Sequence, residues 1–138
     1  MKPNASSGTG CPCGRPVPFD ACCGRYLPPE AAPAPTAEAL MRSRYSAYVM
    51  GNEPYLMATW HATTRPERLG LADEQPRPRW LGLSIVRSEG GQNTDTHGLV
   101  EFVARYKIQG RAFRLHETSR FLKEDGRWWY VDGDLQDS

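Results

Sequence analysis

Residues 97–131 read HGLVEFVARYKIQGRAFRLHETSRFLKEDGRWWYV, and the spacing of their apolar side chains sets the fold class. Val100, Phe102, Ala104, Tyr106 and Ile108 alternate with Glu101, Arg105 and Lys107, a period of two that separates an apolar from a polar strand face. Gln109-Gly110 predicts a tight turn into a second run, where Phe113, Leu115, Glu117, Ser119 and Phe121 share one face and Arg114, His116, Thr118 and Arg120 the other. Asp125-Gly126 predicts another turn, before a short strand from Arg127 to Val131. Upstream, the period changes from helical to two at Trp80, with Leu81, Leu83 and Ile85 alternating in a further strand. Four successive antiparallel strands are expected.

Before Trp80 the signals are helical. Thr36 is a cap, Glu38 lies in the first turn, and Leu40, Met41, Tyr45, Tyr48 and Val49 recur at helical spacing up to Gly51, so residues 37–50 form a helix. Asn52 and Pro54 open a shorter helix reaching about Trp60. Three prolines between Thr63 and Arg79 predict a helical turn followed by a loop. Helices first and strands after make an α+β domain over 36–138, with helices packed on one face of an antiparallel sheet. The segment 28–35, PPEAAPAP, is expected to run extended as a spacer that sets residues 1–27 apart from this body.

The chain of 138 residues suits one domain plus a small appendage. No stretch approaches the ~20 apolar residues that cross a bilayer, so no membrane partner is expected. A net charge of +1 argues against nucleic acid.

All four cysteines fall within CPCGRPVPFDACC, residues 11–23, and so serve one local purpose. Any of the three disulfide pairings open to them would staple only a tiny loop. The polar stretch Met1 to Gly10 lacks the apolar core of about 7–15 residues of an export signal, which predicts a reducing, cytoplasmic setting. Zinc, with Zn–S near ~2.3 Å, needs four sulfurs converging to roughly 4 Å. The C-x-C-x8-C-C spacing supplies two close pairs joined by a reversing loop, so Cys11, Cys13, Cys22 and Cys23 are expected to hold one structural zinc ion. Pro12, Pro16 and Pro18 stiffen the loop, and Gly14 and Gly24 let the backbone turn beside ligand positions. A zinc–thiolate shell of charge about −2 is balanced by Lys2, Arg15 and Arg25 against Asp20. A redox dithiol and unliganded thiols are the competing readings. The closed shell, with no histidine nearby, disfavours a catalytic zinc.

CPCGRPVPFDACCGRYL resembles the SEC-C motif, the zinc-binding element at the carboxyl end of SecA translocation ATPases. LMRSRYSAYV, TWH, WLGLSIV, GLVEFVARYK, LHETSRF and WWYVDG, in that order, resemble the YchJ-like family of bacterial proteins along essentially the whole chain. The resemblance implies an amino-terminal zinc knuckle joined to a nuclear transport factor two-like domain, a cystatin-like cone of curved antiparallel sheet closed by helices. It implies a metal but no reaction.

Within such a cone, Glu117 is the polar exception on an apolar inner face. Arg44, or His61 after the second helix, is expected to meet it across the cavity, with Tyr45, Tyr48, Trp60 and Trp80 on the walls. Glu117 with His61 would be an acid/base pair. The preferred alternative is an internal salt bridge or hydrogen-bond network fixing helix to sheet. His97 and His116 read as solvated, and Arg65, Arg68, Arg77 and Arg79, interleaved with Glu67, Asp73 and Glu74, as a solvated loop. Trp128 and Trp129 point to opposite faces, so at least one is core. Nothing here is a phosphate-cradling loop, a Ser-His-Asp arrangement or a dinucleotide fingerprint.

Two functions follow. The preferred one is an adaptor whose zinc knuckle docks a protein partner. The other is a small-molecule binder or enzyme using the cone cavity around Glu117, and the sequence leans away from catalysis. Oligonucleotide contact through Arg15, Phe19, Arg25 and Tyr26 is a weaker third.

Overall fold

The computed structural model describes residues 10–28, 31–73, 76–92 and 94–136. The expectations resting on Met1 to Thr9 (Lys2 among them), Pro29, Glu30 and Glu74 fall outside these residues. Two helices, α1 (Ala37–Met50) and α2 (Glu53–Ala58), precede four strands, β1 (Arg79–Gly90), β2 (His97–Ile108), β3 (Arg111–Glu124) and β4 (Arg127–Leu135). The strands pair antiparallel in chain order, a meander with the helices on its concave side. No helix among the described residues is long and apolar enough to cross a membrane.

Local chemistry sets the boundaries. The Thr36 hydroxyl accepts from the Ala39 N–H at 3.0 Å and Gly51 closes α1 in the left-handed region at φ 71°. Asn52 caps α2 through the Tyr55 N–H at 3.1 Å. That helix stops at Ala58, short of the expected Trp60, because the next residues join the sheet: Tyr130 N–H donates to Thr59 O at 2.9 Å and His61 N–H to Tyr130 O at 2.8 Å. At the hairpin tips Gln109-Gly110 and Asp125-Gly126 all have positive φ, the primed turn that suits the right-handed twist of the flanking strands.

β2 and β3 pair in unbroken register from His97↔Leu122 to Ile108↔Arg111, so Val100, Phe102, Ala104, Phe121 and Ser119 point inward, as their alternation requires. Each large side chain buried there, such as Phe121, contributes roughly 2 kcal/mol. β1 departs from simple alternation. Register shifts between Trp80 and Gly82 and between Ile85 and Arg87 leave Leu81 and Val86 without partners and exposed. Trp80, opposite Tyr106, faces in where Leu81 was expected to, because one extra residue in a strand reverses the facing of those before it. β4 runs four residues past the expected end at Val131: Arg120 binds Asp132 at 2.6 Å and Asp134 at 2.7 Å, holding a stretch whose composition reads as a turn against β3.

The cysteine arm is not set apart from the body. Ala31 N–H donates to Leu27 O and Ala32 N–H to Arg25 O, which fold the proline-rich segment back onto the arm instead of extending it. Tyr26 and Leu27 are buried in the same core cluster as Leu40, Met41 and Leu56. The apolar weight of these residues and of the four sulfurs wins over the stiffness of the prolines. Consequently α1 is covered on three sides, by sheet, α2 and arm, and buries Ser43, Arg44 and Ser46 along with its apolar residues.

Candidate functional site

Two 3-10 turns, Phe19–Ala21 and Cys23–Arg25, follow a tight loop in which Cys11 N–H donates to Val17 O at 2.8 Å and Gly14 N–H to Cys11 O at 3.0 Å. Gly14, at φ 99°, makes the reversal between the two cysteine pairs. The sulfurs of Cys11, Cys13, Cys22 and Cys23 lie within 4.8 Å of one another, none is more than 4% exposed, and none is in a disulfide. This is a donor set a metal ion fits: four soft ligands on one centre, closed to solvent.

Without a cation the thiols compete for protons. Hydrogen bonds from Cys13 and Cys23 pull the Cys11 thiol far below its usual range. Burial, with Cys13 beside it, pushes Cys22 up to about 11, and its hydrogen bonds to Cys11 and Cys13 raise Cys23 further. A dication among the four sulfurs would let all of them ionise.

The cluster is bound to α1. Arg42 Nη1 donates to Cys13 O at 3.0 Å and lies 3.8 Å from the Cys13 sulfur, and Cys11 Sγ sits 3.7 Å from the buried Ser46 hydroxyl. The sequence reading overlooked both residues; Arg42 carries no spacing signal that separates it from an ordinary surface arginine.

On its opposite face α1 walls a cavity of about 790 Å³ against the concave sheet. Tyr45, Tyr48, Trp80, Phe102 and Leu115 supply the apolar walls, and Trp80 packs on Tyr45 and Tyr106 with ring centroids 5.8 and 5.2 Å apart. Glu117 lies in this cavity, where Ser119 Oγ donates to its Oε2 at 2.8 Å and the Tyr130 hydroxyl at 3.5 Å. Burial and the Glu117 charge push the Tyr130 phenol well above its usual range. Gly133 makes room for this carboxylate: a methyl group at 133 would stand 2.8 Å from Glu117 Cδ.

Arg44 also lines the cavity, but no ion pair joins it to Glu117 among the described residues. Its Nη1 donates to Leu56 O at 2.8 Å and Thr59 Oγ1 at 2.7 Å, and its guanidinium lies 4.3 Å from the Tyr130 ring centre and 5.1 Å from that of Trp60. Burial lowers its pKa. Arg44 therefore ties α2 to the sheet's far edge, with Trp60 behind it instead of on the cavity wall.

His61 does not meet Glu117. Thr63 N–H points at its Nδ1, which therefore accepts, and Nε2 faces Glu124 Oε1 at 3.0 Å at the other end of β3. The acid/base pair expected from the sequence is absent among the described residues, because the bridge between Trp60 and Tyr130 carries His61 past the cavity. His116, expected to be solvated, is half-buried on the outer sheet face and pairs with Glu101 at 2.6 Å. Trp128 is core and Trp129 half-buried.

The loop read as solvated supplies the cavity rim. Glu53 holds it by accepting from Leu69 N–H at 3.0 Å and Leu71 N–H at 2.9 Å, which keeps the Glu53 carboxyl below the usual carboxylate range. Arg77 and Arg79, both exposed, then line the opening, with Arg77 Nη2 reaching over Gly51 at the end of α1.

Residues 36–133 match the family described as YchJ, middle NTF2-like domain. The chain is 58% identical over 133 residues to a UPF0225 protein of Chromobacterium violaceum, covering 96% of this chain and 98% of that one. A UPF0225 protein of Bordetella pertussis is 53% identical over 139 residues, covering 99% and 100%. The solution structure of a SEC-C motif containing protein from Rhodopseudomonas palustris is similar with a TM-score of 0.80 at 32% identity, covering 93% of this chain and 99% of that one. The crystal structure of a SEC-C motif containing protein from Psychrobacter arcticus gives a TM-score of 0.73 at 29% identity, covering 93% and 83%.

Proposed function

The chain belongs to the YchJ family, and from that premise we propose that it binds a small organic molecule in its cone cavity, while a structural zinc ion in the cysteine arm braces the helix that forms one cavity wall. The observation that carries this reading is the cavity itself: about 790 Å³ of space between aromatic walls, with Glu117, Ser119 and Tyr130 converging on one spot. A packed core would have filled it.

Zinc suits the arm because four buried sulfurs within 4.8 Å offer a closed thiolate shell with no position left for a substrate. When bound, zinc would supply a fixed charge centre that orders the loop; Arg42 and Ser46 would then hold that loop on α1. Free thiols at such close quarters suit a reducing, cytoplasmic compartment. Glu117 is met by the hydroxyl donors of Ser119 and Tyr130, which fix its carboxylate as a hydrogen-bond acceptor for a ligand.

The protein-partner reading rests on a different observation. Arg15, Pro16, Pro18, Asp20 and Arg25 remain exposed on the outer side of the arm while its sulfurs are buried, a rigid polar surface on which a partner would dock.

Saturable binding of the neutral fluorophore N-phenyl-1-naphthylamine tests the cavity. One site per chain is expected, lost in a Leu115→Trp variant that keeps the parent's circular dichroism. Unsaturable binding, or binding unchanged in that variant, removes the reading.

A further inference from the structure

The charges around the cavity are unequal. Among the described residues three guanidinium groups line it, those of Arg44, Arg77 and Arg79, against the one carboxylate of Glu117. Arg44 is 3% exposed and committed to Leu56 O and Thr59 Oγ1, so its charge acts from within the wall. Arg77, just before β1, and Arg79, its first residue, stand at the opening, and neither has a carboxylate within ion-pair distance among the described residues. Other arginines are neutralised by carboxylates: Arg42 by Glu38, Arg68 by Asp73, Arg87 by Glu89 and Glu101, Arg120 by Asp132 and Asp134. The cavity mouth is therefore a local positive field in a chain of net charge +1. Low-dielectric walls concentrate such a field along the opening.

Going inward from the mouth, the chemistry changes from cationic to aromatic to hydrogen-bond accepting. Tyr48, Trp80 and Phe102 present ring faces and edges midway. Glu117 sits farther in, its Oε2 already occupied by Ser119. A ligand that satisfies all three zones has an anionic group at one end, a flat apolar body and a donor at the other end.

Resting on the cavity reading above, we infer that the ligand is an aromatic organic acid: its carboxylate is held at the mouth by Arg77 and Arg79, its ring by Tyr48 and Trp80, and a hydroxyl at the far end donates to Glu117. A guanidinium takes a carboxylate through charge-assisted, often paired hydrogen bonds, whereas the corresponding amide or amine offers it nothing equivalent. Glu117 acts as acceptor and needs no proton transfer.

The test is displacement of N-phenyl-1-naphthylamine from the full, zinc-loaded chain by four probes of one size: 4-hydroxyphenylacetate, phenylacetate, 4-hydroxyphenylacetamide and tyramine. The hydroxy acid is expected to compete at least about tenfold better than the amide or the amine. Arg77→Gln, just before β1, and Arg79→Gln, at its first residue, are expected to cut the acid's advantage over the amide by about tenfold. Glu117→Gln is expected to narrow the gap between the hydroxy acid and phenylacetate. Equal competition by acid and amide, or better competition by tyramine, overturns this inference while the cavity reading stands. Failure of the fluorophore to bind at all removes both.

Discussion

Arg42 on α1 donates to the carbonyl oxygen of Cys13 at 3.0 Å and lies 3.8 Å from that residue's sulfur, while Glu38 one turn earlier accepts from its Nε at 3.0 Å. One side chain thus joins the cysteine cluster to the helix that walls the cavity. Its pKa is raised by Glu38 and Cys13 in spite of partial burial.

Arg42→Ala is expected to weaken zinc retention by about 10–100-fold, the usual consequence of losing a group that supports a metal ligand. Competition with a chromophoric chelator measures it. Glu38→Gln, which removes the charge beside Arg42 but keeps an acceptor for Arg42 and Ser88, should change retention by about twofold or less. Identical retention in the parent and Arg42→Ala would reduce Arg42 to a surface contact.

Leu27, 2% exposed, belongs to the same core as Leu40 and Leu56. Leu27→Ala is expected to cost about 2–4 kcal/mol, which lowers Tm by roughly 10 °C in calorimetry. Stripping the metal with a chelator should lower Tm likewise and restore on adding zinc. A main transition that ignores both changes would mean that arm and body fold independently.

Gly133→Ala places a methyl group against the Glu117 carboxylate and is expected to destabilise by about 1–3 kcal/mol. Combining it with Glu117→Ala should recover most of that loss, a coupling readable from urea denaturation of the four-protein cycle. Additive effects would show that the carboxylate moves aside freely.

Alkaline pH offers a fourth measurement. Burial lifts the Tyr45 phenol to about 12, and burial with the nearby Glu117 charge lifts that of Tyr130. A phenol whose pKa is higher folded than unfolded adds stability that is complete below the unfolded value, ~10, and is lost as pH rises through the folded one. Stability should therefore hold to about pH 10 and fall towards pH 12, with late tyrosinate absorbance at 295 nm coinciding with loss of circular dichroism. Tyr130→Phe should flatten part of that fall. If all six tyrosines titrate together near pH 10 with the fold intact, the buried cavity wall is wrong.

Strands β2 and β3 were legible because one face is buried and one is wet, so the period of two in residues 100–108 and 113–121 had to appear in the sequence. The caps Thr36 and Asn52, Gly51 and the two positive-φ turns were legible for a similar reason: each satisfies backbone groups or dihedrals within a few residues. The same locality made the cysteine cluster readable, since two close pairs on a short loop leave few other geometries.

His61 was misjudged because a single bridge to Tyr130 decides where the chain goes after α2, and a bridge between residues seventy apart leaves no local mark. Leu81 was misplaced by one extra residue in β1. Arg77 and Arg79 read as solvated because they are exposed; the pairing of Arg79 with Lys107 at the start of β1, between residues far apart in the chain, sets them at the cavity mouth.

What the amino-acid order settled unaided is therefore everything governed by neighbours: helix 37–50, the alternating hairpins, and four thiols gathered on one loop. What tertiary packing alone decided is where separate pieces meet: the arm against α1, His61 at Glu124 instead of Glu117, and the arginine rim over an aromatic cavity. Short-range periodicity records which side of an element is buried, but which other element buries it depends on contacts between distant residues that no local pattern encodes.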